Sequence, residues 1–267
     1  MRACGMRGAE LRTVNGRNIV DLSDDEVARV RELVRMHGFE VVGIASPVLK
    51  CVLPGGPELD SRFQQDVFGA AYGFEDQPRL AARAMEIAQA LGAKIIRVFS
   101  YWRTVEPGKC LEAAAKALAE LAAEAEPCGL IIALENEHAC NAGTASEAAA
   151  LLNLIPDSGV RLLWDPANAY VAGERPFPEG YAKLPKDRIV HIHAKDCRLH
   201  GHTPEWCELG EGDIDWRGQL AALKADGYDG WISLETHWPG PNGNKLEASR
   251  VCTRNLRNLV RHPALDD

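Results

Sequence analysis

Residues 111–137 read LEAAAKALAELAAEAEPCGLIIALENE. The first part is an alanine-rich amphipathic run that reads as a long helix. Pro107 can open that helix, because a first-turn residue does not need its N–H, and the run ends near Glu126. Gly129 then stands where a left-handed cap is wanted. Residues 130–134 follow as a short unbroken apolar run, the kind that a parallel sheet buries on both faces. It stops at Glu135-Asn136-Glu137. A helix leading straight into a buried strand that ends in carboxylates is one unit of an alternating α/β fold.

The unit recurs along the chain. Strands are predicted near residues 8–13, 40–46, 94–100, 130–137, 160–166, 189–196 and 230–236, with helices in the intervals. Ser23 with Glu26, and Thr144 with Glu147, fit the capping box that starts a helix. Gly38 and Gly92 follow helical runs as Gly129 does. The 267 residues suit the roughly 250 of one TM-free (β/α)₈ barrel, so a single domain over 1–267 is expected. The fold class is therefore α/β, a TIM (β/α)₈-type barrel, but one strand short of eight. Residues 5–12 already read as the end of a helix running into a strand. The expectation is a barrel lacking its first strand and helix at the N-terminus, through a late start or an opening between 8–13 and 230–236. Such an opening exposes two strand edges, a seam on which a homodimer could form.

Composition narrows the partners. A hydrophobic content of 46% and a charged content of 25% are ordinary for a globular chain. The net charge of −8 argues against a surface built for phosphate backbones. The first residues lack an apolar signal region, and no stretch reaches the roughly 18 apolar residues of a membrane span. A cytoplasmic protein with neither nucleic acid nor membrane as partner is expected. The eight cysteines contain no C-x-x-C pair, so reduced thiols are expected rather than a disulfide framework. Cys128 and Cys140 are read as small buried apolar groups.

In a parallel barrel the chemistry lies where strands end and the following loops begin. Four predicted strands end there in Glu135, Asp165, His193 and Glu235. Each alone could cap a helix or pair with a lysine; together they point to one cation, since buried charges must be paired or bound. Three carboxylates and an imidazole are a mainly hard ligand set, suited to Mn²⁺ or Mg²⁺ and less specifically to Co²⁺ or Zn²⁺. Lys195 lies two residues after His193 and so points to the same side of the strand; the competing reading is a surface pair with Asp196. His191 shares that face as a core or supporting histidine. Residues 208–216, ELGEGDIDW, form a glycine-hinged loop into a helix capped by Asp213 or Asp215.

The segments ALENEH (133–138), WDPANA (164–169), HIHAKD (191–196), LGEGDIDW (209–216) and WISLETHW (231–238) resemble the xylose isomerase-like barrels. That family includes sugar isomerases and epimerases, inosose and dehydroshikimate dehydratases, and the more distant endonuclease IV-like enzymes. The resemblance runs from about Gly8 to Leu259 and implies that Glu135, Asp165, His193 and Glu235 hold one divalent ion. It implies substrate contacts for Lys195, Asn168 and the loop carrying Glu211. Glu137 falls where some dehydratases of the family carry a histidine base, with His138 one residue on, a departure that counts against dehydration. Glu10 and Arg12 are further candidates for substrate contact, and Arg97 for an internal salt bridge. His200 and His202 receive no role.

The function implied is an isomerase or epimerase acting on a small carbohydrate-like substrate. Glu135 and Glu235 would be the catalytic acid and base on either side of a hydroxy-ketone. The alternatives are a metal-dependent dehydratase, an endonuclease IV-like phosphodiesterase needing several zinc ions, and an inactive barrel that cannot close.

Overall fold

The computed structural model describes residues 2–63, 72–156, 158–201 and 203–261; His202 lies outside them. Seven strands form one sheet: β1 (Gly8–Leu11), β2 (Glu40–Ala45), β3 (Ile95–Val98), β4 (Ile131–Glu135), β5 (Arg161–Trp164), β6 (Ile189–Ala194) and β7 (Trp231–Leu234). Every neighbouring pair, from β1·β2 to β6·β7, is parallel and consecutive in the chain. The sheet curls until β1 and β7 lie side by side, but no ladder joins them among the described residues. It is a (β/α) barrel of seven strands, nearly closed.

Helices wrap the outside: α1 (Asp24–Met36), α2 (Gln77–Leu91), α3 (Leu111–Ala125), α4 (Ala145–Asn153), the short α5 (Pro166–Val171), α6 (Trp216–Ala225) and α7 (Lys245–Arg261). Both capping boxes form, at Ser23 and Thr144. Gly38, Gly92 and Gly129 all have positive φ. Pro107 starts a 3₁₀ turn that runs into α3, and a second 3₁₀ turn over Glu126–Cys128 follows it. That turn leaves Cys128 exposed, contrary to the expectation of a buried thiol, whereas Cys140 is buried.

Strand periodicity divides the side chains into two sets. Ile96, Val98, Ile132, Leu134, Leu162, Trp164 and Ile192 join the helices in the main apolar core. Ile95, Ala133 and Leu163 make a separate small cluster on the other face of the sheet. Two residues further along β3 and β4, that same inner face carries Arg97 and Glu135. Apolar residues therefore floor the barrel, and its C-terminal mouth is polar.

Two segments add to the plan. Asp196–His200 and Thr203–Cys207 form an antiparallel arm immediately after β6. Behind the arm, the Asp196 carboxylate accepts N–H groups from Cys197, Gly210, Gly212 and Ile214, fixing the glycine-hinged loop. Gly210 has φ +89°, and a Cβ on Gly212 would lie 2.1 Å from Asp196 Oδ1 and 2.7 Å from the Cys197 carbonyl oxygen. Close approach is why glycine stands at 212. Of the two candidate caps, Asp215 caps α6 by accepting from Gly218 N, while Asp213 accepts from the Tyr170 hydroxyl. Gly212→Ala is expected to break this cradle and lower stability by about 1–3 kcal/mol, read as the urea midpoint. An unchanged midpoint would show that the loop yields.

Candidate metal centre and active site

Glu135 ends β4, Asp165 follows β5 as the N-cap of α5, His193 lies on β6 and Glu235 follows β7. Each offers a ligand atom, and these four atoms all lie within 4.8 Å of one another. His193 turns Nδ1 toward the group, 3.2 Å from Glu135 Oε1, 3.8 Å from Glu235 Oε2 and 4.0 Å from Asp165 Oδ2. Asp165 also uses its other oxygen, Oδ1, to accept Asn168 N. Helix capping and ligand geometry are thus compatible in one carboxylate.

The protein's own cations compensate part of this negative charge. Lys195 Nζ lies 2.7 Å from Asp165 Oδ2 and 2.5 Å from Glu235 Oε2. Arg97 Nη1 lies 3.2 Å from Glu135 Oε2, the internal salt bridge expected of it. Burial would discharge Lys195 and His193, yet the carboxylates around them raise both well above their ordinary values. Burial likewise opposes ionisation of Glu235, but Lys195 holds its carboxyl well below the usual range. Asp165 goes the other way: burial raises it despite Lys195, and Glu135 and Glu235 add to the rise. Glu135 Oε2 and Asp165 Oδ2 are buried and accept no properly angled hydrogen bond among the described residues. Convergent hard oxygens, two of them accepting no properly angled hydrogen bond, together with an imidazole nitrogen fit a divalent cation.

Lys195 is buried and takes part in this network; it makes no surface pair with Asp196. Asn168 Nδ2 donates to Glu135 Oε1 at 3.2 Å, and its Oδ1 lies 3.0 Å from His138 Nδ1. Glu137 sits 3.0 Å from the same His138 nitrogen and 3.7 Å from Lys50 Nζ. Arg12 reaches to 3.7 Å from Glu235. Glu211 is not brought to the centre: it is exposed and lines a different cavity with Leu209, Ile214 and Asn255, because the Asp196 cradle holds the loop by its backbone.

A cavity of about 740 Å³ opens beside the centre along the junction of β1 and β7; Glu10, Arg12, Arg97, His193, Trp206 and Glu235 are among its walls. Three contributors were not legible in the sequence. Trp206 is carried in by the arm and packs against His237, with ring centroids 4.5 Å apart and planes tilted by 48°. His237 lies 3.4 Å from Glu235. Lys50 follows a strand in an irregular loop, where no periodicity aims it. Glu10, read as a candidate substrate contact, does line the cavity, and His191, read as a core or supporting histidine, is buried; the two meet at 3.3 Å, and Glu10 also meets His193 at 2.8 Å.

The xylose isomerase-like TIM barrel model matches residues 1–256, and the chain belongs to that family. An inosose dehydratase of Lacticaseibacillus casei is 27% identical over 151 residues, covering 51% of this chain and 50% of that protein. The chain spans about half the length of the curated relatives it matches. An IolI protein solved with a binding zinc atom superposes with a TM-score of 0.73 at 21% identity, over 96% of this chain and 87% of that one. The 3-keto-D-glucoside 4-epimerase YcjR of E. coli gives 0.67 at 16% identity, over 96% and 91%. At such identities these structures show a shared fold.

Glu137 offers a test of the electrostatics. Burial would raise its carboxyl, but Lys50 and then His138 hold it well below the ordinary value. A depressed carboxylate stabilises the fold above its unfolded pKa, about 4.3, and that contribution is lost as the pH falls through the folded value. Wild-type stability is expected to decline below about pH 4.3, with Glu137→Gln showing a shallower acid limb in urea titrations. Parallel limbs would show that the pairing carries no such linkage.

Proposed function

We propose that the chain is a divalent-metal-dependent enzyme that moves a proton at the carbon beside the carbonyl of a small sugar-like hydroxy-ketone, as an isomerase or epimerase. Glu135, Asp165, His193 and Glu235 would hold the ion. The oxygen-rich set favours Mn²⁺ or Mg²⁺, and the zinc in the IolI structure keeps Zn²⁺ in the comparison. When bound, the ion supplies electrostatic stabilisation for negative charge developing on adjacent substrate oxygens.

One observation carries the assignment of roles. Glu235 lines the cavity with 22% of its side chain exposed, whereas Glu135 is 1% exposed and pinned by Asn168 and Arg97. Glu235 is therefore the group that meets substrate from the open side and takes the proton. In an isomerisation Glu235 would return that proton to the neighbouring carbon; in an epimerisation Glu135, across the centre on a nonadjacent strand, would deliver a proton of its own to the opposite face, leaving Glu235 protonated and Glu135 ionised. Lys195 Nζ, between Asp165 and Glu235, is placed to donate to a substrate oxygen, and Arg12 bounds the cavity beside it.

A dehydratase is the second reading, supported by the inosose dehydratase relatives and by His138. The one-residue offset from the family's histidine does not remove an imidazole from this region, since His138 reaches Asn168, which in turn reaches Glu135. Burial lowers the His138 pKa, but Glu137 more than offsets this and raises it. A cationic imidazole could protonate a departing hydroxyl once the neighbouring carbon has lost its proton. The phosphodiesterase reading needs a cluster of several zinc ions, and the two ligand groups among the described residues share His193.

The test is incubation of metal-loaded protein with hydroxy-ketones and inososes in D₂O. Deuterium entering a carbon-bound position, with an isomeric or epimeric product, supports the first reading; an unsaturated product supports the second. Glu235→Gln is expected to reduce turnover by about 10²–10⁴-fold with a retained cooperative unfolding transition; near-native turnover would remove Glu235 from the mechanism. Glu135→Gln and Asp165→Asn are expected to lose the metal found by elemental analysis of the wild type.

A further inference from the structure

Glu10 stands apart from the four-ligand group, on the opposite side of the His193 ring. We propose that it is the positioning residue that determines which nitrogen of His193 meets the metal. This deepens the metal-centre reading and rests on it.

Glu10 Oε2 lies 2.8 Å from His193 Nε2, while Nδ1 of the same ring faces Glu135, Asp165 and Glu235. An ionised carboxylate can only accept hydrogen bonds. The Nε2 proton therefore points to Glu10, so that when Nδ1 gives up its own proton to a metal, the Nδ1 lone pair would be the one presented to the ligand group. A metal-bound histidine held by a carboxylate through its second nitrogen has a fixed tautomer, a fixed ring orientation and a more basic donor. The His193 ring is 2% exposed, so no water competes freely for that nitrogen.

Glu10 is itself held in place. His191 Nε2 lies 3.3 Å from Glu10 Oε2 and 2.8 Å from Ser233 Oγ. The His191 ring stands edge-on to His193, with centroids 5.6 Å apart and an interplanar angle of 81°. The network joins β1 to β6 and β7, across the junction where the sheet has no ladder. One carboxylate thus aims a metal ligand and fastens the first strand, so loss of either role must be read separately.

The experiment titrates Zn²⁺ alone into the full chain against a competing chelator dye, for wild type, Glu10→Gln and Ser233→Ala. Glutamine can offer an N–H to His193, which favours the opposite tautomer. Its zinc affinity is expected to fall by about 10–100-fold. Ser233→Ala, which disturbs the seam network without touching the Glu10–His193 contact, is expected to stay within about twofold of wild type on the same reasoning. In ¹⁵N-histidine spectra, zinc-loaded wild type is expected to show His193 protonated at Nε2 and metal-shifted at Nδ1. Equal affinity for Glu10→Gln and wild type, an equal loss in Ser233→Ala, or zinc on Nε2 overturns the role of Glu10 while leaving the metal centre intact. A wild type that takes up no zinc overturns both. If Glu10→Gln does not unfold cooperatively, the wild-type ¹⁵N spectrum decides.

Discussion

Lys195 lies 2.7 Å from Asp165 and 2.5 Å from Glu235, and Arg97 lies 3.2 Å from Glu135, inside a barrel mouth where burial penalises every one of these charges. Removing one partner from a buried pair of this kind costs about 3–5 kcal/mol, because the other charge is left uncompensated. The strand ends therefore stand or fall together. Even so Asp165 stays raised, and Glu135 Oε2 and Asp165 Oδ2 accept no properly angled hydrogen bond among the described residues. A divalent cation held there would add positive charge without requiring any of these side chains to leave its anchor.

The same polar interior takes over a task that elsewhere in the sheet belongs to the backbone. Between β1 and β7 no ladder runs, and the two edges are bridged instead by side chains: Glu10 to the β6 histidines, Arg12 to Glu235, and the Trp231 ring packed against Gly8. A Cβ at Gly8 would lie 2.8 Å from that ring. The cavity beside the centre follows this junction, so access to Glu235 and completion of the barrel wall share one set of residues.

The fold and the core of the site were legible because both follow period-2 alternation. Reading alternate residues on strands that end in polar groups places Arg97, Glu135, His193 and Glu235 on one face without knowledge of any contact. What stayed hidden depends on long-range geometry. Glu10 and His191 are separated by 181 residues, and nothing local distinguishes a carboxylate that touches substrate from one that orients a ligand. Glu211 misled for the converse reason: flanking glycines suggest a mobile active-site loop, whereas the glycines serve Asp196 and turn Glu211 outward. Trp206 sits on an arm whose pairing, Trp206 with Cys197, carries no apolar alternation to announce a strand. Cys128 lay beside a correctly read helix end, but a 3₁₀ turn rather than a continuing helix decides which way it points.

The asymmetry between Glu135 and Glu235 is what would let the site, on the proposed reading, act as well as bind. Two carboxylates in equivalent surroundings would compete for the same role; two whose environments differ can divide acid and base work between them. Glu135 is enclosed by Arg97, Asn168 and His193, so its position is rigid and its access to solvent is nil. Glu235 faces Arg12, Lys195, His237 and the cavity, so its charge can respond to whatever enters. The choice between returning the proton and expelling a hydroxyl then depends on the group facing the substrate carbon next to the one that has lost its proton. On the Glu137 side the loop after β4 carries an imidazole, His138, which reaches Asn168 and through it Glu135. The barrel itself is common to both chemistries, so on the proposed reading that loop, not the strands, would decide between them.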